Sequence, residues 1–253
     1  MLSIDLNCDI GESTALWPYK IDCDISLLQY VSSINLACGF HAGDTDTTLQ
    51  LIQAAVSGNI AVGAHPSFPD RENFGRKEMY LEEKDLYRII FQQIEFIGGL
   101  AILNGTRMNH VKPHGALYKM AAKDHRLAFI VCSAIQAYDE DLMIYGLSGS
   151  EIINAADCMG MKSCSEAFAD RTYQEDGSST PRTISSASIN DETQAAQRVL
   201  QMIQHGTVTS PSGKDIHLRA ETICINSNGE HPLNLAIKIH TALSNEGINI
   251  SHP

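Results

Sequence analysis

"VGAHPSFPDRENFGR", Val62–Arg76, begins as an apolar strand and then crowds a histidine, two prolines, Asp70, Glu72, Asn73 and two arginines into one segment. Apolar runs that end in polar chemistry recur along the chain. "LSIDLN" from Leu2 leads into "NCDIGE", "SINLAC" from Ser33 into "GFHAGD", and "NIAVGAH" from Asn59 into the quoted segment. "NHVKP" from Asn109 leads into "KPHGALY" and "CSEAFA" from Cys164 into "ADRTYQEDG", while "LMIYGL" from Leu142 and "TICIN" from Thr222 complete seven predicted strands. Between them, Leu86, Ile89, Ile90, Ile94 and Ile97, and later Ala196, Val199, Leu200 and Ile203, keep the three-and-four spacing of amphipathic helices.

Alternating strands and helices favour a parallel sheet with helices packed outside it. An open sheet places ligands mainly at its switch point, whereas a barrel gathers every strand end around one mouth. Polar residues at nearly every strand end therefore favour an irregular seven-stranded β/α barrel, TIM-like, with residues 1–253 forming one domain. The segment 170–191 is too long for an ordinary connection and reads as a lid or binding loop. "TVTSPSGKDIHLR" reads as a small hairpin around Ser212 and Gly213. "GLSGSE" from Gly146 could present amides to an anion at a helix start, but it lacks the Lys-Ser/Thr of a phosphate loop, and a plain turn is preferred.

Composition narrows the function classes. With 43% apolar and 19% charged residues the 253-residue chain is globular in type, and its net charge of −12 opposes a broad nucleic-acid surface. No apolar run reaches the roughly 18 residues a membrane helix needs, and "MLSIDLNCDIGES" lacks the basic start and apolar core of a secretory signal, so a cytoplasmic protein is expected. Seven cysteines without a Cys-x-x-Cys pair read as reduced thiols, with Cys8, Cys38, Cys158 and Cys224 in or beside apolar runs as small core residues.

The period of a strand puts Asp5, Asn7 and Asp9 on one side, the interior side of a barrel, with Glu12 following. Acids so grouped need a cation, a shared proton or hydrogen-bond donors, although a turn network around Gly11 would also use them. His41, His65 and His114 all lie at strand ends. Asp9, His41 and His65 could form a two-histidine, one-carboxylate metal site; equally, one imidazole could be a general base oriented by a carboxylate. Asp44 is either a ligand-binding residue or the N-cap of a helix with the stripe Leu49, Ile52, Ala55 and Val56. Lys112 could hold a carboxylate, stabilise an oxyanion or form a Schiff base, or else be a buried salt bridge to Asp9 or Asp5. Arg71, Arg76, Arg171 and Arg182 fall in the same loops and point to an anionic ligand.

The stretches "IDLNCDIGE", "SINLACGFHAGD", "VGAHPSFPDRENFGR", "VKPHGALY" and "FADRTYQEDGSSTPR" together resemble the LamB/YcsF family, over almost the whole chain and in the same order. The resemblance implies an irregular barrel related to the polysaccharide deacetylase fold. It further implies ATP-dependent opening of 5-oxoproline (pyroglutamate) to glutamate, carried out with two further subunits, B and C. For that chemistry the expected catalytic set is Asp9, His41, His65, Lys112 and His114. Asn7, Asp44, Arg71, Asp170 and Arg171 are expected to bind substrate or nucleotide, and a divalent metal, where present, to sit on Asp9, His41 and His65. One place departs from the family pattern: where a His-Gly-Asp triplet is common, this chain has Asn226, Ser227 and Asn228, with Glu230 and His231 nearby. Rival readings are a metal-dependent deacetylase or amidohydrolase that needs no ATP, and a noncatalytic metabolite-binding barrel.

Overall fold

The computed structural model of the chain describes residues 2–16, 18, 21–181, 184–226 and 231–253. Seven parallel strands close into a ring: β1 (Ser3–Ile10), β2 (Ser33–Ala37), β3 (Ala61–His65), β4 (Met108–Val111), β5 (Met143–Leu147), β6 (Ser163–Phe168) and, beyond the antiparallel hairpin β7 (Thr207–Thr209) and β8 (Asp215–His217), β9 (Thr222–Ile225). β9 pairs with β6 on one side and β1 on the other, setting Asp5 opposite Thr222 and Asn7 opposite Cys224. These are the seven predicted strands and the predicted hairpin. The short β10 (Asn249–Ile250) adds to the start of β1 outside the ring.

The helices are α1 (Ile21–Leu27), α2 (Thr45–Ser57), α3 (Glu83–Leu103), α4 (Gly115–Ala121), α5 (His125–Tyr138), α6 (Glu151–Cys158), α7 (Glu192–His205) and α8 (Pro232–Asn245). Aspartates start three of them: Asp44, Asp124 and Asp191 accept from Thr47 N, Arg126 N and Gln194 N at 2.7 to 2.9 Å. The buried face of α2 is Thr48, Leu51, Ile52 and Ala55: Ile52 and Ala55 of the expected stripe are buried, Leu49 is half-buried and Val56 faces outward, and Thr48 and Leu51 complete the face. α3, 21 residues long and with an 18-residue stretch of mean hydropathy 1.3, has the length to cross a membrane. It instead buries Leu86, Ile90, Ile94 and Ile97 in the core and points Glu83, Lys84, Arg88 and Glu95 outward.

Alternation along each strand divides the molecule into an apolar shell and a polar centre. Ile4, Leu6, Cys8 and Ile10 of β1, with Ile34, Leu36, Val62, Val111, Ile144 and Ile223, belong to the core. Their alternates, Asp5, Asn7, Asp9, Asn35, His110, Tyr145, Glu166 and Thr222, are buried too and hydrogen-bond with one another across the ring. Gly63 is part of this arrangement, since a β-carbon there would overlap the His110 ring. All seven cysteines are free; Cys8, Cys38 and Cys224 are buried as expected, but Cys158, the last residue of α6, is exposed.

Candidate active site

The polar interior is layered. At the floor, Asp5 accepts from Ser32 Oγ, Ser33 Oγ and Thr222 Oγ1, each at 2.6 Å. Burial pushes its pKa above the ordinary carboxylate value despite these donors. Above it, Asn7 donates to Thr222 Oγ1 (2.7 Å) and Glu166 Oε1 (3.1 Å) and accepts from Asn35 Nδ2 (2.7 Å). Asn35 Nδ2 also donates to Asp9 Oδ1 at 2.9 Å, and its carbonyl faces His110 Nε2 at 2.8 Å.

Lys112 closes the next layer. Its Nζ lies 2.9 Å from Asp9 Oδ1, 2.7 Å from Glu166 Oε1 and 3.2 Å from both Asn7 Oδ1 and Cys224 Sγ, and the residue is 2% exposed. Burial opposes its charge, yet Asp9, Cys224 and Glu166 outweigh it and hold the ammonium well above the ordinary lysine value. The same contacts work on Asp9: burial would raise it, but His65 and Lys112 keep it well below the carboxylate range. The expected salt bridge to Asp9 is present, and the second partner is Glu166 rather than Asp5. An ammonium has three hydrogens, and here they are committed within the protein, which corrects the expectation of a lysine free to grip an anion.

At the mouth His41, His65 and His114 meet. The rings of His41 and His114 stack at 3.8 Å, and His65 stands edge-on to both. His65 Nδ1 lies 2.7 Å from Lys112 O and His114 Nε2 2.8 Å from Phe74 O. Carbonyls only accept, so both of these nitrogens carry protons. That leaves His65 Nε2 and His114 Nδ1 facing each other at 3.0 Å, two lone pairs that require a proton or a metal ion between or beside them. The charge balance points the same way, for Asp9, Glu12 and Glu166 face one ammonium. Burial lowers His65, but Asp9 and Glu12 outweigh it and raise the imidazole above its ordinary value. Burial lowers His41 to about 3, and its Nδ1 is buried without a hydrogen-bond partner.

Among the described residues, the donor set that could hold a metal ion is Glu12, His41 and His114, whose ligand atoms lie within 4.8 Å of one another. Glu12 Oε1 is 3.1 Å from His41 Nε2 and 3.1 Å from His114 Nδ1. This corrects the expected set of Asp9, His41 and His65. Gly11, with φ of 70°, turns the chain so that Glu12 lies among the imidazoles, while Lys112 occupies Asp9 Oδ1. His65 borders the set, 3.5 Å from Asp9 Oδ2 and 3.7 Å from Glu12 Oε1.

Other expected residues are placed elsewhere. Asp44 caps α2, and Arg71 donates to Gly39 O (2.8 Å) and Gly43 O (3.0 Å); the two line a separate recess with Asp24. Arg71 is thus a clamp on the loop after β2. Arg76 lies over the Phe74 ring. Asp170 accepts from Asn226 Nδ2 with both oxygens, at 2.7 and 2.9 Å. Arg171 donates to Thr180 O at 2.8 Å and lines a cavity of about 500 Å3 with Tyr118, Phe168 and Asn226. Arg182, Ser227, Asn228 and Glu230 lie outside the described residues, and His231 is exposed at the start of α8. Glu166, Asn35, His110 and Tyr118, whose hydroxyl donates to Glu166 Oε2 at 2.7 Å, were not among the expected site residues.

A closed β/α ring whose mouth brings carboxylates, imidazoles and a lysine into hydrogen-bond contact is the layout of a barrel enzyme that works by acid–base chemistry. The chain belongs to the LamB/YcsF family, whose model matches residues 4–253. It is 45% identical over 248 residues to the A subunit of 5-oxoprolinase from Bordetella pertussis, covering 98% of each chain. The crystal structure of a lactam utilization protein from Thermus thermophilus superposes with a TM-score of 0.91 at 36% identity, covering 99% of both chains. A polysaccharide deacetylase from Bacillus cereus, at 14% identity and a TM-score of 0.51 over 100% of this chain and 92% of its own, shares the fold.

Proposed function

We propose that this chain is the A-type subunit of a cytoplasmic ATP-dependent 5-oxoprolinase, which opens 5-oxoproline to L-glutamate together with subunits B and C as ATP becomes ADP and phosphate. The observation that carries this reading is the full-length likeness to the A subunit of 5-oxoprolinase. The chemistry of the mouth supports it.

A five-membered lactam resists water because resonance protects its carbonyl. Phosphorylating the amide oxygen from ATP traps the imidate and makes that carbon electrophilic. Water then adds, giving a carbon that carries hydroxyl, phosphate ester and ring nitrogen. If the nitrogen is protonated, the C–N bond breaks and γ-glutamyl phosphate forms, which hydrolyses to glutamate and phosphate. If it is not, phosphate leaves first and the lactam returns. An acid beside the ring nitrogen therefore decides whether ATP hydrolysis is productive.

In this reading the proton held between His65 and His114 is that acid, and Asp9 Oδ2 accepts the proton of the attacking water. Lys112 positions Asp9 and Glu166. Glu12, His41 and His114 would hold a divalent cation in place of that proton, for the facing lone pairs and the surplus of carboxylates fit either occupant; with His114 Nδ1 a ligand, the acid would be His65 Nε2, whose imidazole is raised above its ordinary value. Bound there, the cation would supply Lewis-acid polarisation of an oxygen. The same donor set favours a second reading, an amidohydrolase that needs no ATP.

The test is glutamate formation from 5-oxoproline and ATP by the purified chain, with and without subunits B and C. Turnover is expected only in the reconstituted complex. A complex that forms no glutamate, or a metal-loaded chain that hydrolyses amides without ATP, would remove the proposal.

A further inference from the structure

The loop between β3 and α3 lays its backbone against the imidazoles of the mouth. Asp70 fixes its path: Oδ1 accepts from Asn73 N (3.3 Å) and Asn73 Nδ2 (2.7 Å), Oδ2 from Lys77 N (3.2 Å), and Asp70 O from Gly75 N (2.7 Å). Within this frame two successive residues, Phe74 and Gly75, take the left-handed backbone, with φ of 56° and 62°. Glycine is required at 75, where a β-carbon would lie 2.9 Å from His114 Cδ2, His41 Cβ and Ser67 Oγ. At 74 a bulky side chain disfavours the conformation, and Asn73, of a type that tolerates it, stands one residue away.

The strained residue makes contacts through both its carbonyl and its ring. Phe74 O accepts from His114 Nε2 at 2.8 Å, and the next carbonyl, Gly75 O, accepts from Ala116 N at 2.9 Å in the first turn of α4. The ring, 4% exposed, stands edge-on to His41 and His114, with centroids 5.6 and 5.4 Å away, and the Arg76 guanidinium carbon lies 5.0 Å from its centroid. The stacked imidazoles are therefore held edge-on by Phe74 as well as by His65. A glycine at 74 would supply the carbonyl without strain but not the ring. A right-handed phenylalanine would turn the carbonyl away from His114. Only the strained arrangement gives both, and strain kept beside reacting groups marks a functional constraint.

We propose that Phe74 is a positioning residue acting through His114: its left-handed backbone keeps a proton on His114 Nε2, so that Nδ1 presents its lone pair toward His65 Nε2 and Glu12 Oε1, 3.0 and 3.1 Å away. Without that acceptor the single proton of a neutral His114 can sit on Nδ1, and the nitrogen is then closed to a metal ion and to a further proton. The tautomer stands on this geometry alone; a part for it in ring opening rests on the oxoprolinase reading.

Long-range proton–nitrogen NMR of the full chain labelled with 15N-histidine, with His114 assigned by its loss in His114→Gln, reads which ring nitrogen carries the proton. In the wild type Nε2 is expected to carry it. Phe74→Val, whose branched side chain opposes the left-handed backbone, should lose the Nε2–H signal, whereas Phe74→Gly, which adopts that backbone freely, should keep it. In the reconstituted complex Phe74→Val should lower kcat for glutamate formation about tenfold or more, with KM for 5-oxoproline within about twofold, and Phe74→Gly should lose less. A residue that only packed would give the reverse order, because glycine removes more of the buried side chain than valine does. His114 Nε2 found without a proton in the wild type, Nε2–H retained in Phe74→Val, or a kcat no lower in Phe74→Val than in Phe74→Gly overturns the proposal. The wild-type spectrum decides where a variant does not fold. A wild-type complex that forms no glutamate removes the oxoprolinase reading and leaves the spectra to judge Phe74.

Discussion

Replacing Lys112 with methionine should destabilise the fold by about 3–5 kcal/mol at neutral pH, the usual cost of removing one partner from a buried ion pair. Methionine nearly keeps the volume of the lysine stem, so the main loss is the charge 2.9 Å from Asp9 and 2.7 Å from Glu166. In a chain of this size each kcal/mol moves the melting temperature by about 2–4 °C, and a fall of roughly 6–20 °C follows. The effect has a pH signature. In the wild type Asp9 lies well below its ordinary 3.8; that stabilisation is complete above 3.8 and is lost as pH falls through the folded value. Without the ammonium, burial pushes Asp9 upward, so the variant's penalty is complete only above the raised value and fades on acidification. Thermal and urea unfolding at pH 7.5 and pH 5 should therefore show the larger deficit at pH 7.5. A triple variant, Lys112→Met with Asp9→Asn and Glu166→Gln, should recover most of the stability and none of the glutamate formation. A Lys112→Met melting temperature within about 2 °C of wild type, or a deficit that grows at pH 5, would refute this account of the interior.

His114→Gln should uncouple the reaction: in the reconstituted complex, glutamate formed per ATP hydrolysed should fall by about 10²-fold or more while ATP hydrolysis continues, measured as ADP and glutamate in one assay. Equal loss of both activities would contradict a role in protonating the ring nitrogen. Gly63→Ala should cost about 1–3 kcal/mol in chemical unfolding because its β-carbon overlaps the His110 ring, and adding His110→Ser should restore part of that. Burial lowers His110 from 6.5 to about 3, so the unfolded chain binds a proton that the fold excludes between those values. Stability should then fall as pH drops below 6.5, and from pH 7.5 to 5 the wild type should lose about 2 kcal/mol more than His110→Gln, read from urea midpoints at the two pH values.

The seven strands were legible because each is a short apolar run closed by glycine, proline or polar residues, and the barrel because those polar residues recur at one end. The alternation of Asp5, Asn7 and Asp9 likewise placed them inside. Glu166 was harder to see, for "CSEAFA" reads as an apolar strand with a single acid. The usable signal was that an acid inside such a run needs a buried cation, and Lys112 stands alone in the run before "PHG". Glu12 is visible as an acid beside β1, but its place in the metal set is not, because the positive φ of Gly11 that brings it among the imidazoles is not expressed in spacing. Arg71 and Arg171 looked like anion grips because their partners Gly39 O, Gly43 O and Thr180 O are backbone carbonyls, which a side-chain pattern does not reveal.

A barrel of this kind could have been filled with valine and isoleucine, and the polar filling needs a physical reason. Isolated, each buried acid or amide would cost free energy; joined, their donors and acceptors match. Asp5 is tied to Thr222, Thr222 to Asn7, Asn7 to Glu166 and Asn35, and Asn35 to Asp9 and His110. Asp9 is therefore held by a chain of hydrogen bonds that begins at the barrel floor, so its carboxylate needs no reorganisation to face His65. The cost is fragility: removing a donor near the floor leaves an acceptor unmet and loosens the residues above it. Activity in this fold should accordingly be lost through substitutions at Ser33 or Thr222, far from the mouth, at a smaller cost in stability than substitutions of the apolar shell incur.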